Sequence, residues 1–470
     1  MNRSFVKNKL ELGYKDELHN YDIFPKVVAS GKATAITIKP LGWHAAFQAG
    51  ESYNLAVCPL DEGVAWDYPN RSNDHILEVV PDADGCIRFS FDFFGEQEFF
   101  IRLNDGKSFN LELSVFAVGA DLVGRYPFRG DLHMHTRRSD GSQAPEIVAA
   151  NYRKTGYDFT VISDHMRYYP SLDAIAAYAD ARVEFVIIPG EEVHLPKDFP
   201  NHVNDVHILN FGGAYSINAL VEGSENQKDA GGDAPERRAI LPNPPPVRSK
   251  EEFWAEIDAY AEGLAIPEGI ERFTYACCHW IFNEIKKGGG LGIFCHPYWI
   301  SNVYQVPPAF VDYMMETHPF GAFEVLGGEN YYEQNGLQTI QYYEDRAKGR
   351  KYPIVGSTDS HRSVNNRNSH ICSTFVFAPE NTREALIQSI QDFYSVAVDT
   401  ISAEPRFVGE MRLARYACFL EKEFFPLHDE LCFEEGRAMK DYVCGVPGAK
   451  EELAFLHGRM KAQREKYFAF

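Results

Sequence analysis

The chain has 470 residues, 45% of them hydrophobic and 14% aromatic, which fits roughly two to four globular domains and excludes a disordered polymer. Lys and Arg number 46 against 67 Asp and Glu, so the net charge is −21. Long polyanions are repelled, leaving small anions or those drawn in by local cations.

The opening stretch, MNRSFVKNKLELGYKDEL, has no signal-peptide apolar core and reads as an arm. No apolar run approaches the ~20 residues that span a bilayer. Nine scattered cysteines without CxxC spacing predict reduced thiols and a cytoplasmic location.

Residues from about 30 to 125 read as β structure. In CIRFSFDF, Ile87, Phe89, Phe91 and Phe93 alternate with other residues, and in FNLELSV the alternating set is Phe109, Leu111, Leu113 and Val115. Period-two alternation marks strands with one buried face. Residues 1–125 are therefore expected to form a β-sandwich-like N-terminal domain without evident chemistry.

Past Arg129, short apolar runs alternate with helical stretches: DFTVISDH, VEFVIIPGEEV, VHILNF, LGIFCHP, GAFEVLG, YPIVGSTDSH and STFVFA. Strands alternating with helices imply parallel β/α units. About seven or eight such units imply a barrel with its active site at the carboxyl ends of the strands. The expected bounds of this α/β barrel are 126–402, with an insertion at about 213–290.

The insertion contains the polar DAGGDAPERRAILPNPPPVRSK and two predicted helices, near 249–263 and 270–287. It reads as a lid or specificity element over the barrel mouth, or as an ordinary long connection with a disordered tip over 222–247. Residues 403–470 are predicted to be a helical C-terminal extension, packed on the chain or forming a homo-oligomer surface.

Chemistry concentrates at the strand ends. His133 and His135 in RGDLHMHTRRSDGS stand two apart, so on a strand both project from one face. Asp359 and His361 in GSTDSH repeat that spacing. Asp140, His165 in ISDH, Glu192 in PGEE, His207 in VHILNF and His296 in FCHP add single donors. One metal takes about four to six donors, so this set implies more than one cation. Imidazole with carboxylate suits Zn²⁺, Mn²⁺ or Fe²⁺ better than Ca²⁺ or Mg²⁺. The remaining histidines, His194 and His202 among them, read as ordinary polar residues. Cys277, Cys278 and His279 in ACCHW point different ways on a helix and read the same way.

These stretches resemble, in order over about 129–378, the motifs of the PHP (polymerase and histidinol phosphatase) superfamily. ISDH stands where the family has TDH, and 212–290 matches nothing in it. The resemblance implies a distorted (β/α)7 TIM-like barrel with three metals. One would be held by His133, His135, Glu192 and Asp359, and a second by Glu192, His207 and His296. The third would be held by Asp140, His165 and His361. The family ligand is the second glutamate of the pair, which makes Glu192 the expected one and Glu191 the alternative register.

A water shared by two cations ionises near neutral pH and would attack a phosphate ester in line. Glu192, Asp359 and His361 are accordingly expected at the catalytic centre. Arg167 and Arg362, just after ligand motifs, are expected at substrate oxygens, ahead of Arg137 and Arg138. The expected function is a phosphoesterase using two to three divalent transition metals (Zn, Mn or Fe) on a small phosphorylated substrate. A carboxylic or carbamic ester hydrolase is the alternative. The same nucleophile attacks a carbonyl, and some PHP relatives with an added N-terminal domain resemble carbaryl hydrolases. A nuclease acting on nucleic-acid ends is a third reading, disfavoured by the acidity and by the lack of a visible basic, aromatic groove.

Overall fold

The computed structural model describes residues 16–62, 74–195, 206–223, 237–327, 332–363, 372–400 and 405–470. The first fifteen residues, His202 and residues 224–236 of the polar stretch lie outside them. Contacts divide the chain into two units. The first comprises Met1–Tyr126, Arg415–Leu431 and Gly458–Phe470; the second comprises Pro127–Ala414 and Cys432–His457. The C-terminal helical segment is thus shared between both units and does not stand apart as a third. No helix among the described residues is long and apolar enough to cross a membrane.

The first unit is built on strands β1 (Tyr21–Phe24), β2 (Val27–Ala29), β3 (Lys32–Pro40), β4 (Tyr53–Pro59), β5 (His75–Val79), β6 (Ile87–Phe93), β7 (Gln97–Asn104) and β8 (Asn110–Val118). They form a three-stranded sheet, β1-β3-β6, and a six-stranded sheet in which the two-residue strand Phe468–Ala469 precedes β2-β8-β7-β4-β5. Alternation does the sorting: in β7, Gln97, Phe99, Ile101 and Leu103 are buried while their neighbours are half-buried. Ile36, Ile38 and Phe93 from one sheet share an apolar core with Leu55, Phe99, Ile101 and Leu113 from the other.

The second unit contains β9 (Tyr126–Asp131), β10 (Phe159–Val161), β11 (Val186–Ile188), β12 (Gly190–Val193), β13 (Ile208–Phe211), β14 (Leu291–Phe294), β15 (Ala322–Leu326), β16 (Ile354–Gly356), β17 (Cys372–Ala378), β18 (Ser395–Asp399) and β19 (Arg406–Val408). Strands β14, β15 and β16 are buried along their whole lengths, the signature of a sheet covered on both faces. The architecture is mixed α/β.

The ladders form two open sheets, β11-β10-β9-β17-β18-β19 and β12-β13-β14-β15-β16, where the sequence led us to expect one closed barrel of parallel strands. Strand β13 runs antiparallel to both β12 and β14, and β17-β18-β19 are antiparallel too. Parallel pairing needs a crossover that returns the chain to the same end. No helix is described between β12 and β13. The long insertion between β13 and β14 imposes no such return. Two isolated parallel bridges, Met134–Ser360 and His165–Glu192, connect the ends of the two sheets.

Within the insertion, the helix Lys250–Glu262 opens on a capping box between Ser249 and Glu252. The helix Arg272–Lys287 opens on the Glu271 carboxylate, which accepts from the backbone N–H groups of Phe273 and Thr274. Cys277 and Cys278 lie on its buried face, and His279 Nδ1 meets Tyr260 Oη at 2.7 Å.

Candidate metal centre

The backbone that carries His133 and His135 is held by two buried aspartates. Asp131 accepts from Thr358 N at 3.0 Å, Thr358 Oγ1 at 2.6 Å and His133 N at 3.1 Å, which ties the HMH segment to the TDSH segment. Asp164 accepts from Thr136 N at 2.9 Å and Ser139 Oγ at 2.6 Å, which ties the loop before Asp140 to the ISDH segment. Gly141 lies so close to this backbone that a Cβ would sit 2.5 Å from His135 O, so only glycine fits there. Met134, between the two histidines, enters the apolar core, leaving both rings on the opposite side.

All nine candidate ligands converge on one cluster in the second unit. Glu192, fully buried, is its centre. His207 Nδ1 is 2.7 Å from its Oε1 and His165 Nδ1 is 2.5 Å from its Oε2. His133 Nε2 and His135 Nε2 each lie 3.5 Å from it, and His296 Nε2 lies 3.4 Å away. Asp359 Oδ1 lies 3.2 Å from His133 Nε2 and 3.0 Å from His135 Nε2. Asp140 sits at the open side, 3.4 Å from His165 Nε2 and 3.3 Å from His361 Nε2. The donor atoms of His135, Asp140, His165 and His361 all lie within 4.8 Å of one another.

Two of these residues have strained backbones. His296 has φ 24° and Asp359 φ 51°, as does Met166, next to His165, at 55°. Non-glycine residues in the left-handed region cost about 1–3 kcal/mol and persist where the surroundings over-determine them.

The electrostatics call for positive charge. Among the described residues, both carboxylate oxygens of Glu192 and the Nε2 of His133 are buried without a hydrogen-bond partner of good geometry. Burial opposes ionisation of Glu192, but His207, His165 and His133 hold its pKa well below the usual carboxylate range. Burial likewise opposes charge on His165, yet Glu192 and Asp140 raise its pKa to about 10. Burial and the His165 ring push His135 down to about 3, leaving it neutral. Buried lone pairs that face one another are the donor chemistry of divalent cations, and these residues fit such ions.

Several neighbours were not picked out from the sequence. His194 Nε2 lies 2.8 Å from His165 Nδ1 and 3.6 Å from Glu192 Oε2, and its ring stacks on that of His207 at 3.9 Å. Glu324, in the middle of the buried strand β15, faces His133 Nδ1 at 3.0 Å. Gln305 Oε1 meets His296 Nδ1 at 2.8 Å. An acidic residue inside the otherwise apolar run GAFEVLG was the available signal for Glu324. Glu191 points the other way, accepting from Ser216 Oγ at 2.8 Å and from the Ile217 backbone.

The arginines expected at substrate divide. Arg362 is exposed beside His361, as is Arg137 near the loop. Arg167 is buried, and its guanidinium donates to the Arg138 carbonyl, holding the loop that leads to Asp140.

No family model and no curated protein matches the chain. PHP-like proteins stand among the solved structures similar to it. One is a two-domain protein containing a predicted PHP-like metal-dependent phosphoesterase from Bacteroides vulgatus ATCC 8482. It is 15% identical, over 58% of this chain and 65% of that one, with a TM-score of 0.35. Another is endonuclease Q bound to a duplex with an abasic lesion, 13% identical over 57% of each chain, with a TM-score of 0.33. A third is an amidohydrolase from Chromobacterium violaceum, 16% identical over 50% of this chain and 87% of that one, with a TM-score of 0.29. At these scores the argument for function rests on the site's own residues.

Proposed function

We propose that the chain is a metal-dependent hydrolase that cleaves phosphate esters of small molecules at a centre of two to three divalent transition metals. The observation that carries this reading is Glu192, a buried carboxylate with imidazoles from five segments around its two oxygens. A carboxylate so placed would help to hold more than one cation. On this reading His133, His135, Glu192 and Asp359 hold one ion, and Glu192, His207 and His296 a second. Asp140, His165 and His361 hold the third. Bound there, the ions lower the pKa of water and polarise a phosphoryl oxygen.

The chain's own residues supply the frame. Glu324 and Gln305 orient the rings of His133 and His296 through their second nitrogens. Glu192, Asp359 and His361 surround the reacting atoms, and Arg362 reaches the substrate's oxygens from the exposed rim. Arg167 acts through the loop that it holds.

The two bridges at 134–360 and 165–192 support a distorted seven-membered ring of strands, β9, β10 and β12 through β16, with this cluster at the carboxyl ends of β9, β10, β14 and β16 and at the amino end of the reversed β13. The β-rich residues 1–125 belong to a separate N-terminal domain. The nine cysteines, which form no disulfide among the described residues, support a reducing compartment such as the cytoplasm.

The test is metal analysis of the purified protein followed by kcat/KM for a matched aryl phosphate, aryl phosphodiester and aryl carbamate at one metal loading. The phosphate should lead, with inorganic phosphate inhibiting competitively. Preference for the carbamate without phosphate inhibition transfers the protein to the ester and carbamate hydrolases.

A further inference from the structure

Beside the metal cluster stands a second group of polar residues, of which the sequence singled out only Arg138, as a lower-ranked candidate for substrate oxygens. Arg138 Nη2 lies 3.2 Å from Asp173 Oδ2, and Arg237 Nη2 contacts the other oxygen of the same carboxylate. Both guanidinium groups also lie over the ring of Tyr169, at 5.7 and 5.1 Å from its centroid. Two cations sharing one carboxylate leave one positive charge over, in a chain whose net charge is −21. The arginine side chains are 40% and 42% exposed, so this surplus faces solvent, whereas Tyr169 beneath them is buried. The Tyr169 hydroxyl has no hydrogen-bond partner among the described residues.

The group is fixed relative to the metal cluster from two sides. Arg138 precedes Asp140 by two residues, a span of at most ~7 Å. Its carbonyl is held by Arg167, which follows His165 by two residues. Arg237 belongs to the insertion, where the backbone just after it, at Arg238 and Ile240, pairs with Ser216 and Ala214. Ser216 in turn bonds to Glu191, adjacent to Glu192. Arg237 thus comes from a part of the chain that resembles nothing in the PHP family and reaches the rim of the proposed active centre.

We propose that Arg138 and Arg237, stacked on Tyr169 and sharing Asp173, form a subsite for a second anionic group of the substrate, a carboxylate or a further phosphate. This rests on the phosphoesterase reading given above. Guanidinium forks suit such oxygens, and an arriving anion relieves the surplus charge without displacing Asp173. The substrate class becomes small phosphate esters that carry a second anion able to reach this group from the metal cluster, at a spacing that the two spacers below distinguish.

The experiment compares phenyl phosphate with its 4-carboxy derivative, and the biphenyl pair as a longer spacer, in the wild type and in Arg237→Ala and Arg138→Ala. Dissociation constants of the matching phosphonates are measured by calorimetry on the same proteins. The carboxylated compound should be favoured by about tenfold or more at one spacing, the worth of one charge-assisted contact of roughly 1.4 kcal/mol. That ratio should collapse towards one in Arg237→Ala. Arg237→Lys, which keeps the charge and loses the planar fork, should recover only part of it. Equal handling of both compounds by the wild type at both spacings overturns the subsite, as does a preference that survives both alanine variants. If no phosphate is hydrolysed, the phosphoesterase reading fails by itself. The phosphonate affinities still decide the subsite: a carboxylate preference lost with Arg237 upholds it, and no preference overturns it.

Discussion

His133 Nδ1 lies 3.0 Å from Glu324 Oε2, and neither side chain reaches solvent. With Nδ1 occupied by a carboxylate, the lone pair of Nε2 is turned towards Glu192 and Asp359, where a cation would sit. Glu324→Gln keeps the shape and an acceptor but removes the charge that fixes the tautomer. Such outer partners are worth about 10–100-fold in metal affinity or activity. We expect a loss in that range, with less metal per chain and an unchanged circular dichroism spectrum. Full metal content and activity in the variant would show that Glu324 does not orient His133.

Glu192 and Glu191 make a paired test. They are adjacent on β12 and point to opposite faces, one into the imidazole cluster and the other to Ser216. Glu192→Gln should lose at least ~10²-fold in activity together with metal. Glu191 is held at a pKa of about 7 by burial, which the Ser216 and Ile217 hydrogen bonds only partly offset. A neutral glutamine is therefore tolerable there, and Glu191→Gln should keep its metal. The reverse pattern would mean that the register is off by one residue.

This pair also shows what the sequence could and could not reveal. HxH and DxH at strand ends are legible because period-two geometry puts both side chains on one face, and runs such as FCHP mark where a strand stops. His194 was not legible. It follows Glu192 by two residues, but one histidine at a strand end has no pattern of its own, and only the bridge between residues 165 and 192 brings it to His165. The reversed direction of β13 was equally hidden, since apolar runs look alike in either direction. The helical reading of 403–470 named no partners for its helices, so their division between two units had no trace in the pattern. The strand Phe468–Ala469 is too short to have a period.

Removing the metals should weaken the second unit. Without cations, Glu192 and Asp359 are carboxylates withdrawn from solvent among imidazoles, two of which burial and neighbouring rings push down, His135 to about 3 and His194 to about 4. Binding to the folded state alone contributes RT ln(1 + [L]/Kd), about 4 kcal/mol at a thousand times Kd. Dialysis against a chelator should lower the apparent Tm, and Zn²⁺ or Mn²⁺ should restore it, while Ca²⁺ should not. An apparent Tm that ignores both chelator and metal would count against a folded-state cation site.

The last prediction concerns a position away from the chemistry. Arg153 is fully buried and lies between two carboxylates, with Nε 2.5 Å from Glu435 Oε2 and Nη1 3.2 Å from Asp158 Oδ1. Glu435 also accepts from the backbone N–H of Glu184 at 2.7 Å, so one carboxylate from the helix Phe425–Val443 serves two groups of the second unit. Burial opposes charge on Arg153, but the carboxylates of Glu435 and Asp158 keep it ionised. Removing one partner of a buried pair leaves an uncompensated charge and costs about 3–5 kcal/mol, far more than an exposed pair is worth. Glu435→Ala should therefore lower the apparent Tm markedly while leaving kcat/KM unchanged in the protein that remains folded. Replacing all three charged groups with neutral side chains of similar volume, Arg153→Met with Glu435→Leu and Asp158→Asn, should be milder than Glu435→Ala, because no charge is then stranded. A triple variant as unstable as the single one would show that packing around the three groups, and not the imbalance of buried charge, sets the cost.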